Sequence, residues 1–165
     1  MDGGPTNAAA VVQAPRAIAL TGGGGVATSG SSTDPAGARE TAARTGARAA
    51  TSNADAVDGA ELVVFAVPGS AVAGIAAELT EALTGKVVLD ATNPLNDTYT
   101  GLTTAGISAA ELLQQQLPGA FVVKSLNTVF ASRYAAPTQD GQPLDALLAG
   151  DDADAKATVA TLVES

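Results

Sequence analysis

Cysteine, histidine and tryptophan are all absent from the 165 residues. Without cysteine the chain forms no disulfide and has no thiolate nucleophile. Without histidine it has no imidazole for acid–base work and lacks the usual zinc ligand sets. Chemistry carried by a bound cofactor passes this filter. Aromatic residues make up only 3%, so the core must be built from Ala, Val, Leu and Ile, which bury less area per residue but let helices approach a sheet closely. Positive charge is scarce: eight basic against 17 acidic residues give a net charge of −9. Such a surface repels nucleic acid and anionic membranes. It does not exclude a phosphate-bearing small molecule, which needs only local N–H donors and a helix N-terminus. No apolar run reaches membrane-spanning length, and Met1–Asn7 has no basic region leading into an apolar one; the expected location is cytoplasmic.

What is present is more telling. Three apolar runs each stop on a small polar or proline-containing cluster: Leu62–Pro68, Lys86–Leu95 and Phe121–Thr128. Continuous rather than alternating Val and Leu is the pattern of a strand buried on both faces, hence of a parallel sheet covered by helices. The intervening segments read as helical, giving β-α-β-α-β. In such sheets ligands bind outside the carboxyl ends of the strands, so the three clusters should rim one site, with Val67, Asn93 and Asn127 on the same edge and in a single cleft.

Along the chain, residues 1–15 are small, polar and rich in Gly, Pro and Ala, and read as a disordered arm before one domain at 16–165. Ala17–Leu20 is a short strand candidate. Asp34 is a candidate N-cap, with Pro35 at the first helical position, for a helix to about Thr45. Ala47–Ala50 reads as a short strand, and Asn53 as the cap of a brief helix over 54–58. Ser70 opens a helix with an apolar stripe of Val72, Ile75, Ala76, Leu79 and Leu83, closed by Gly85. A loop over 91–107 leads to the capping box Ser108-Ala109-Ala110-Glu111 and a helix to about Leu117. Residues 128–135 read as a short helix, 136–143 as a polar loop, 145–150 as a last strand and 154–163 as a terminal helix. The acidic cluster Asp151, Asp152 and Asp154 is assigned to that helix's N-terminal dipole rather than to a metal.

Two further features bear on the site. Asn93, at a strand end, needs partners for its amide, and a role at a ligand is favoured over an Asx turn. Asp90 reads as a strand-end carboxylate bonding nearby N–H groups. Lys124, on an apolar strand, is costly unless its ammonium reaches the rim or an anion. Gly22-Gly23-Gly24-Gly25-Val26-Ala27 fits G-x-G-x-x-A, a dinucleotide fingerprint, which would place Gly22 and Gly24 at a pyrophosphate. No helix-competent stretch follows before Asp34, however. A flexible glycine linker, or a hairpin pairing Ile18–Leu20 with Val26–Ser29, is therefore placed ahead of the fingerprint, and no helix is expected within 26–33.

Phe65-Ala66-Val67-Pro68, Asp90-Ala91-Thr92-Asn93-Pro94-Leu95, Lys124-Ser125-Leu126-Asn127-Thr128 and Leu148–Lys156 together resemble the NADP oxidoreductase, coenzyme F420-dependent family. The resemblance covers about residues 34–165 well and the first thirty-odd poorly. It implies an α/β fold: a doubly wound, mostly parallel, Rossmann-like NAD(P)-binding domain, here with an incomplete first βαβ. It implies an oxidoreductase moving hydride between NADP(H), or NAD(H), and coenzyme F420 or a similar acceptor. The partners are then a small-molecule cofactor and acceptor, with room for a homo-oligomer and no nucleic acid or membrane. Val67 and Pro68 would line the pyrophosphate–ribose side, Asn93 would lie near the nicotinamide, and Asn127 and Thr128 would hold the substrate ring. No side chain is assigned as catalytic and none as a metal ligand. Family members carry Gly-Ser-Arg-Asp-Pro and then a Lys that meet the 2′-phosphate; this chain has Gly30-Ser31-Ser32-Thr33-Asp34-Pro35-Ala36-Gly37. Ser31, Ser32 and Thr33 are the groups left to hold that phosphate. The missing helix and missing basic side chains predict weak NADP(H) binding, and leave open a dinucleotide-binding remnant or interaction module.

Overall fold

A computed structural model describes residues 17–21, 29–30, 36, 39–40, 42–43, 47–96, 98–130, 133 and 137–164. The expected arm at 1–15, the whole glycine run at 22–27, and Ser31, Ser32, Thr33 and Asp34 lie outside the described residues. Among the described residues the strands are β1 (Ala17–Thr21), β2 (Ser29–Gly30), β3 (Arg48–Ala49), β4 (Leu62–Ala66), β5 (Val87–Asp90), β6 (Phe121–Lys124), β7 (Thr138–Gln139) and β8 (Gln142–Pro143). The helices are α1 (Asn53–Val57), α2 (Val72–Leu79), α3 (Ala109–Gln116) and α4 (Ala153–Glu164), with a 3₁₀ turn at Gly69–Ala71 leading into α2.

The main sheet is parallel throughout, in the order β1-β4-β5-β6. A parallel β2–β3 pair forms a second sheet, and β2 lies beside β1. The spatial sequence is thus β3-β2-β1-β4-β5-β6, the Rossmann order, whose direction reverses between β1 and β4. The reading of Leu62–Phe65 and Val87–Leu89 as two-faced strands is borne out. Val63, Phe65, Val88 and Val122 face a core filled by Ala56 and Val57 of α1, Ala76 and Leu79 of α2, and Leu113 of α3, with Leu83 and Leu117. Leu62, Leu89 and Val123 face the other way, onto Ala155 and Val159 of α4. Helices on both faces make the sheet doubly wound.

Local signals explain most boundaries. The capping box forms in full: the Ser108 hydroxyl accepts from the Glu111 N–H at 3.2 Å, and the Glu111 carboxylate from the Ser108 N–H at 2.9 Å. Gly85, at φ +76°, ends the turns after α2. Described residues 36, 39–40 and 42–43 are helical, within the expected 34–45 helix.

Four expectations need correction. The cap of α1 is Ser52, whose hydroxyl accepts from the Asp55 N–H at 3.0 Å, so Asn53 is the first helical residue. The hairpin alternative for Ile18–Leu20 with Val26–Ser29 falls on Val26–Thr28, which lie outside the described residues; of the others, β1 pairs with β4 and Ser29 with Arg48. Of the expected 128–135 helix, residues 128–130 are turn, bend and irregular chain following the left-handed Leu126 (φ +66°). Arg133 lies in a 3₁₀ turn, its N–H donating to the Phe130 carbonyl at 2.8 Å, and the other residues of the stretch lie outside the described ones. Residues 145–150 form no strand; only Ala149 makes a bridge, antiparallel to Lys124. Residues 138–143 are not a plain loop but the β7–β8 hairpin, turned by Asp140-Gly141 with φ +52° and +78°, a sequence pair suited to that turn.

Candidate functional site

Parallel register brings the three polar clusters to one edge. Phe65 of β4 pairs with Asp90 of β5, and Asp90 with Lys124 of β6, so the chain leaves the sheet at Val67, Ala91 and Ser125 side by side. Thr21, the last residue of β1, pairs with Ala66, so β1 ends level with β4 at the switch point. Gly22 and Gly24 themselves lie outside the described residues.

Asn93 and Asn127 meet. The Asn93 Nδ2 donates to the main-chain oxygen of Asn127 at 3.2 Å, and the Asn127 Nδ2 donates to the Asn93 Oδ1 at 3.3 Å. A main-chain oxygen can only accept, which fixes the orientation of both amides. Thr128 is exposed beside this clasp. Val67 is buried on the β4 side, and Pro68 precedes the turn into α2. A side chain at Gly69 would put its Cβ 2.7 Å from the Asn93 carbonyl oxygen, so the α2 entrance and the Asn93 loop are in direct backbone contact. No side-chain cap closes either the Gly69–Ala71 turn or α2. Among the described hydrogen bonds, the Ala71 N–H is held by the Pro68 carbonyl at 2.9 Å. The first N–H groups of this helical segment are therefore those suited to an anion.

Beneath the clasp lies a polar network. Asp90 is 1% exposed. Its Oδ1 accepts from the Thr92 N–H at 2.9 Å and the Thr92 hydroxyl at 2.7 Å, and its Oδ2 from the Lys124 ammonium at 3.0 Å. The ammonium also donates to the Thr92 carbonyl. Asp90 thus bonds a nearby backbone N–H, that of Thr92, as expected, and the anion that Lys124 needs is Asp90. Removing one member of such a pair strands a buried charge, at about 3–5 kcal/mol.

On the far side of Lys124 opens a cleft of about 580 Å³ between the 94–107 loop, α3 and residues 149–151. Its wall includes Pro94, Leu102, Ile107, Val122 and Lys124. Val67, Asn93 and Asn127 do not line this cleft; their neighbours Pro94 and Lys124 do. Asp152 caps α4 through the Ala155 N–H at 2.7 Å, as the acidic cluster's assignment to the helix terminus anticipates. Among the described residues no group of acidic side chains is placed to hold a metal.

Sequence reasoning missed Gly69, whose need for close approach becomes visible only once β4 and β5 are neighbours. It also missed Gln114, whose amide ties α3 to β6 by donating to the Leu117 and Ala120 carbonyls and accepting from the Val122 N–H. A polar residue between Leu113 and Leu117 was the available signal. The Asp90–Lys124 pairing was also available: two four-residue runs of similar pattern end on opposite charges.

Comparison with known proteins places this geometry. A sequence profile of the family described as NADP oxidoreductase coenzyme F420-dependent matches residues 17–94. A candidate F420-dependent NADP reductase from Arthrobacter sp. FB24 is 30% identical with a TM-score of 0.73, over 89% of this chain and 79% of that one. A hypothetical protein, SMa0349, from Sinorhizobium meliloti is 26% identical with a TM-score of 0.75, over 88% and 78%. At 13% identity and a TM-score of 0.66, glycerol-3-phosphate dehydrogenase from Coxiella burnetii, covered over 51% of its length against 90% here, shares the fold. No curated protein matches. The profile starts on β1 and ends on the Asn93-Pro94 rim, and the likeness to the Arthrobacter relative takes in 89% of the chain: the chain belongs to the NADP oxidoreductase, coenzyme F420-dependent family.

Proposed function

We propose that this protein transfers hydride between NADP(H) and a deazaflavin, coenzyme F420, or a similar ring acceptor. The observation that carries the reading is the convergence of the Val67-Pro68, Asn93-Pro94 and Asn127-Thr128 ends at the switch-point edge of a Rossmann sheet, in a chain of this family. The uncapped α2 entrance supports it, since its N–H groups suit a dinucleotide's phosphates.

In this reading Gly22 and Gly24 approach the pyrophosphate, and Ser31, Ser32 and Thr33 face the 2′-phosphate. Val67 and Pro68 form the ribose wall, with Asn93, Asn127 and Thr128 at the nicotinamide end. The cofactor supplies the hydride; no side chain of the rim is asked to move a proton. The protein's part is to hold two rings face to face and exclude water, where proximity supplies most of the rate. The location that goes with this reading is the cytoplasm. No helix of the described residues is long and apolar enough to cross a membrane.

One observation favours a second reading, a binding module with the fold kept and turnover lost. Only residues 22–28 separate β1 from β2, fewer than the dozen or so that a helical crossover uses. Fluorescence titration with NADPH decides between them. Low-micromolar binding together with F420 reduction supports the enzyme, binding without turnover supports the module, and absence of binding refutes both.

A further inference from the structure

Thr92 is gripped at every polar atom. Its N–H and hydroxyl donate to Asp90 Oδ1, and its carbonyl accepts from the Lys124 ammonium, which is itself held by Asp90 Oδ2. The Thr92 carbonyl and the Asn93 N–H share one planar trans peptide. Fixing that carbonyl toward Lys124 fixes the Asn93 N–H in the opposite direction, and with it the place from which the Asn93 side chain leaves the chain. On the neighbouring strand, Leu126 holds a left-handed φ of +66°, unusual for a side chain branched at Cγ, and the next residue, Asn127, reaches back to Asn93. Strain of this kind persists where the surroundings over-determine it. Here the surroundings are a buried Ser125 and the Lys124–Ala149 bridge on its flank.

We infer that the Asp90–Lys124 ion pair is a positioning device for the Asn93–Asn127 clasp, and that the clasp recognises a primary carboxamide, the exocyclic group of a nicotinamide ring. This rests on the reading of the rim as the nicotinamide end of the cofactor site. The chemistry follows from counting. Within the clasp Asn93 uses one N–H and its Oδ1, and Asn127 uses one N–H. Among the described hydrogen bonds, a second N–H on each residue and the Asn127 Oδ1 are left for a ligand. A carboxamide presents one acceptor and two donors, so the free amide oxygen and N–H match it, whereas a carboxylate in its place meets the Asn127 oxygen with a second oxygen and no proton between.

The test uses two readouts. In the free protein, the side-chain NH₂ signals of Asn93 and Asn127 in ¹H–¹⁵N spectra report the clasp alone. Asp90→Leu with Lys124→Met removes both charges together and fills their volume, a replacement that buried pairs tolerate. The expected result is a folded sheet by its backbone signals, with the two amide pairs moved toward exposed-asparagine positions. Unmoved signals overturn the positioning role. Should the double variant fail to fold, Thr92→Val keeps shape and ion pair while removing the hydroxyl bond, and must shift the same signals. The second readout is the affinity ratio between NADP⁺ and its nicotinic acid analogue. A ratio of about tenfold in the native chain, collapsing in the double variant, supports the whole inference. A ratio of one in the native chain, with the clasp signals still responding, overturns the carboxamide reading and leaves the positioning role standing.

Discussion

The contact between Gly69 and the Asn93 loop makes a paired experiment. At Gly69 an added Cβ would sit 2.7 Å from the Asn93 carbonyl oxygen and 3.6 Å from the Pro94 Cα. Ordinary contacts involving carbon begin near ~3.5 Å, so the rim must retreat by something on the order of 0.5–1 Å, and the atom in the way is backbone rather than a flexible side-chain tip. Gly69→Ala should therefore cost about 1–3 kcal/mol, the usual range for overpacking. At Gly74, five residues on and inside α2, the same Cβ meets nothing within 4 Å. There alanine should stabilise by about 0.5–1 kcal/mol through its higher helix propensity and the stiffer unfolded chain. Urea unfolding of the two variants and the parent, with a common m-value, measures the contrast; in thermal unfolding each kcal/mol appears as about 2–4 °C. Gly69→Ala should also weaken NADPH binding, because it displaces Asn93, while Gly74→Ala should not. Equal stabilities for the two variants would refute the close approach of β4 and β5 loops on which the site rests.

Three more outcomes follow from local contacts. Ser108→Ala removes the capping hydroxyl of α3 and should lower stability by about 1 kcal/mol, read from the urea midpoint. Phe65→Ala empties the largest fully buried side chain from the sheet's centre and should cost about 3–5 kcal/mol. Acid should unfold the protein partly through two carboxyls held below their ordinary range, Asp55 by the Thr51 N–H and then the Arg48 guanidinium, and Glu111 by the Ser108 hydroxyl and N–H. Since these folded-state values lie below the unfolded ones, their contribution is complete above about pH 4–5 and is lost as pH falls through the lowered values. Glu111→Gln and Asp55→Asn should each flatten the acid limb of a midpoint-against-pH curve, and an unchanged limb in both would refute the assignment.

The parts of the fold that the chain announces are those fixed by short-range rules. Val87-Val88-Leu89 is apolar on both faces and can only be an interior strand; Ser108 and Glu111 are three apart and close on each other. The edge was legible for the same reason, since all three strands run in parallel and must end together. What did not show is what depends on neighbours. Leu144–Ala149 has the composition of a strand, yet only Ala149 pairs. At Gly150 the chain presses so close to the backbone of β6 that a Cβ would lie 2.8 Å from the Val122 carbonyl oxygen. The turn after β6 depends on the left-handed Leu126, which no propensity signals. Asp140-Gly141, by contrast, was a local signal passed over because the residues around it are polar and exposed.

Among the described residues no strand pairing joins β1 to the β2–β3 pair, and this divides the site's two ends by cooperativity. The amides of β4, β5 and β6 should exchange with solvent only on global unfolding, since each is bonded within one continuous sheet. Two short strands bonded to each other alone can open as a separate unit. A dinucleotide lies across this seam in a Rossmann fold, so its adenosine half would be bound by the part of the molecule that opens independently, and its nicotinamide half by the part that does not. Ligand binding would then register as slowed exchange at Ser29, Gly30, Arg48 and Ala49 far more than at Val88 or Val123, and part of the binding energy would be spent joining the two sheets into one cooperative body.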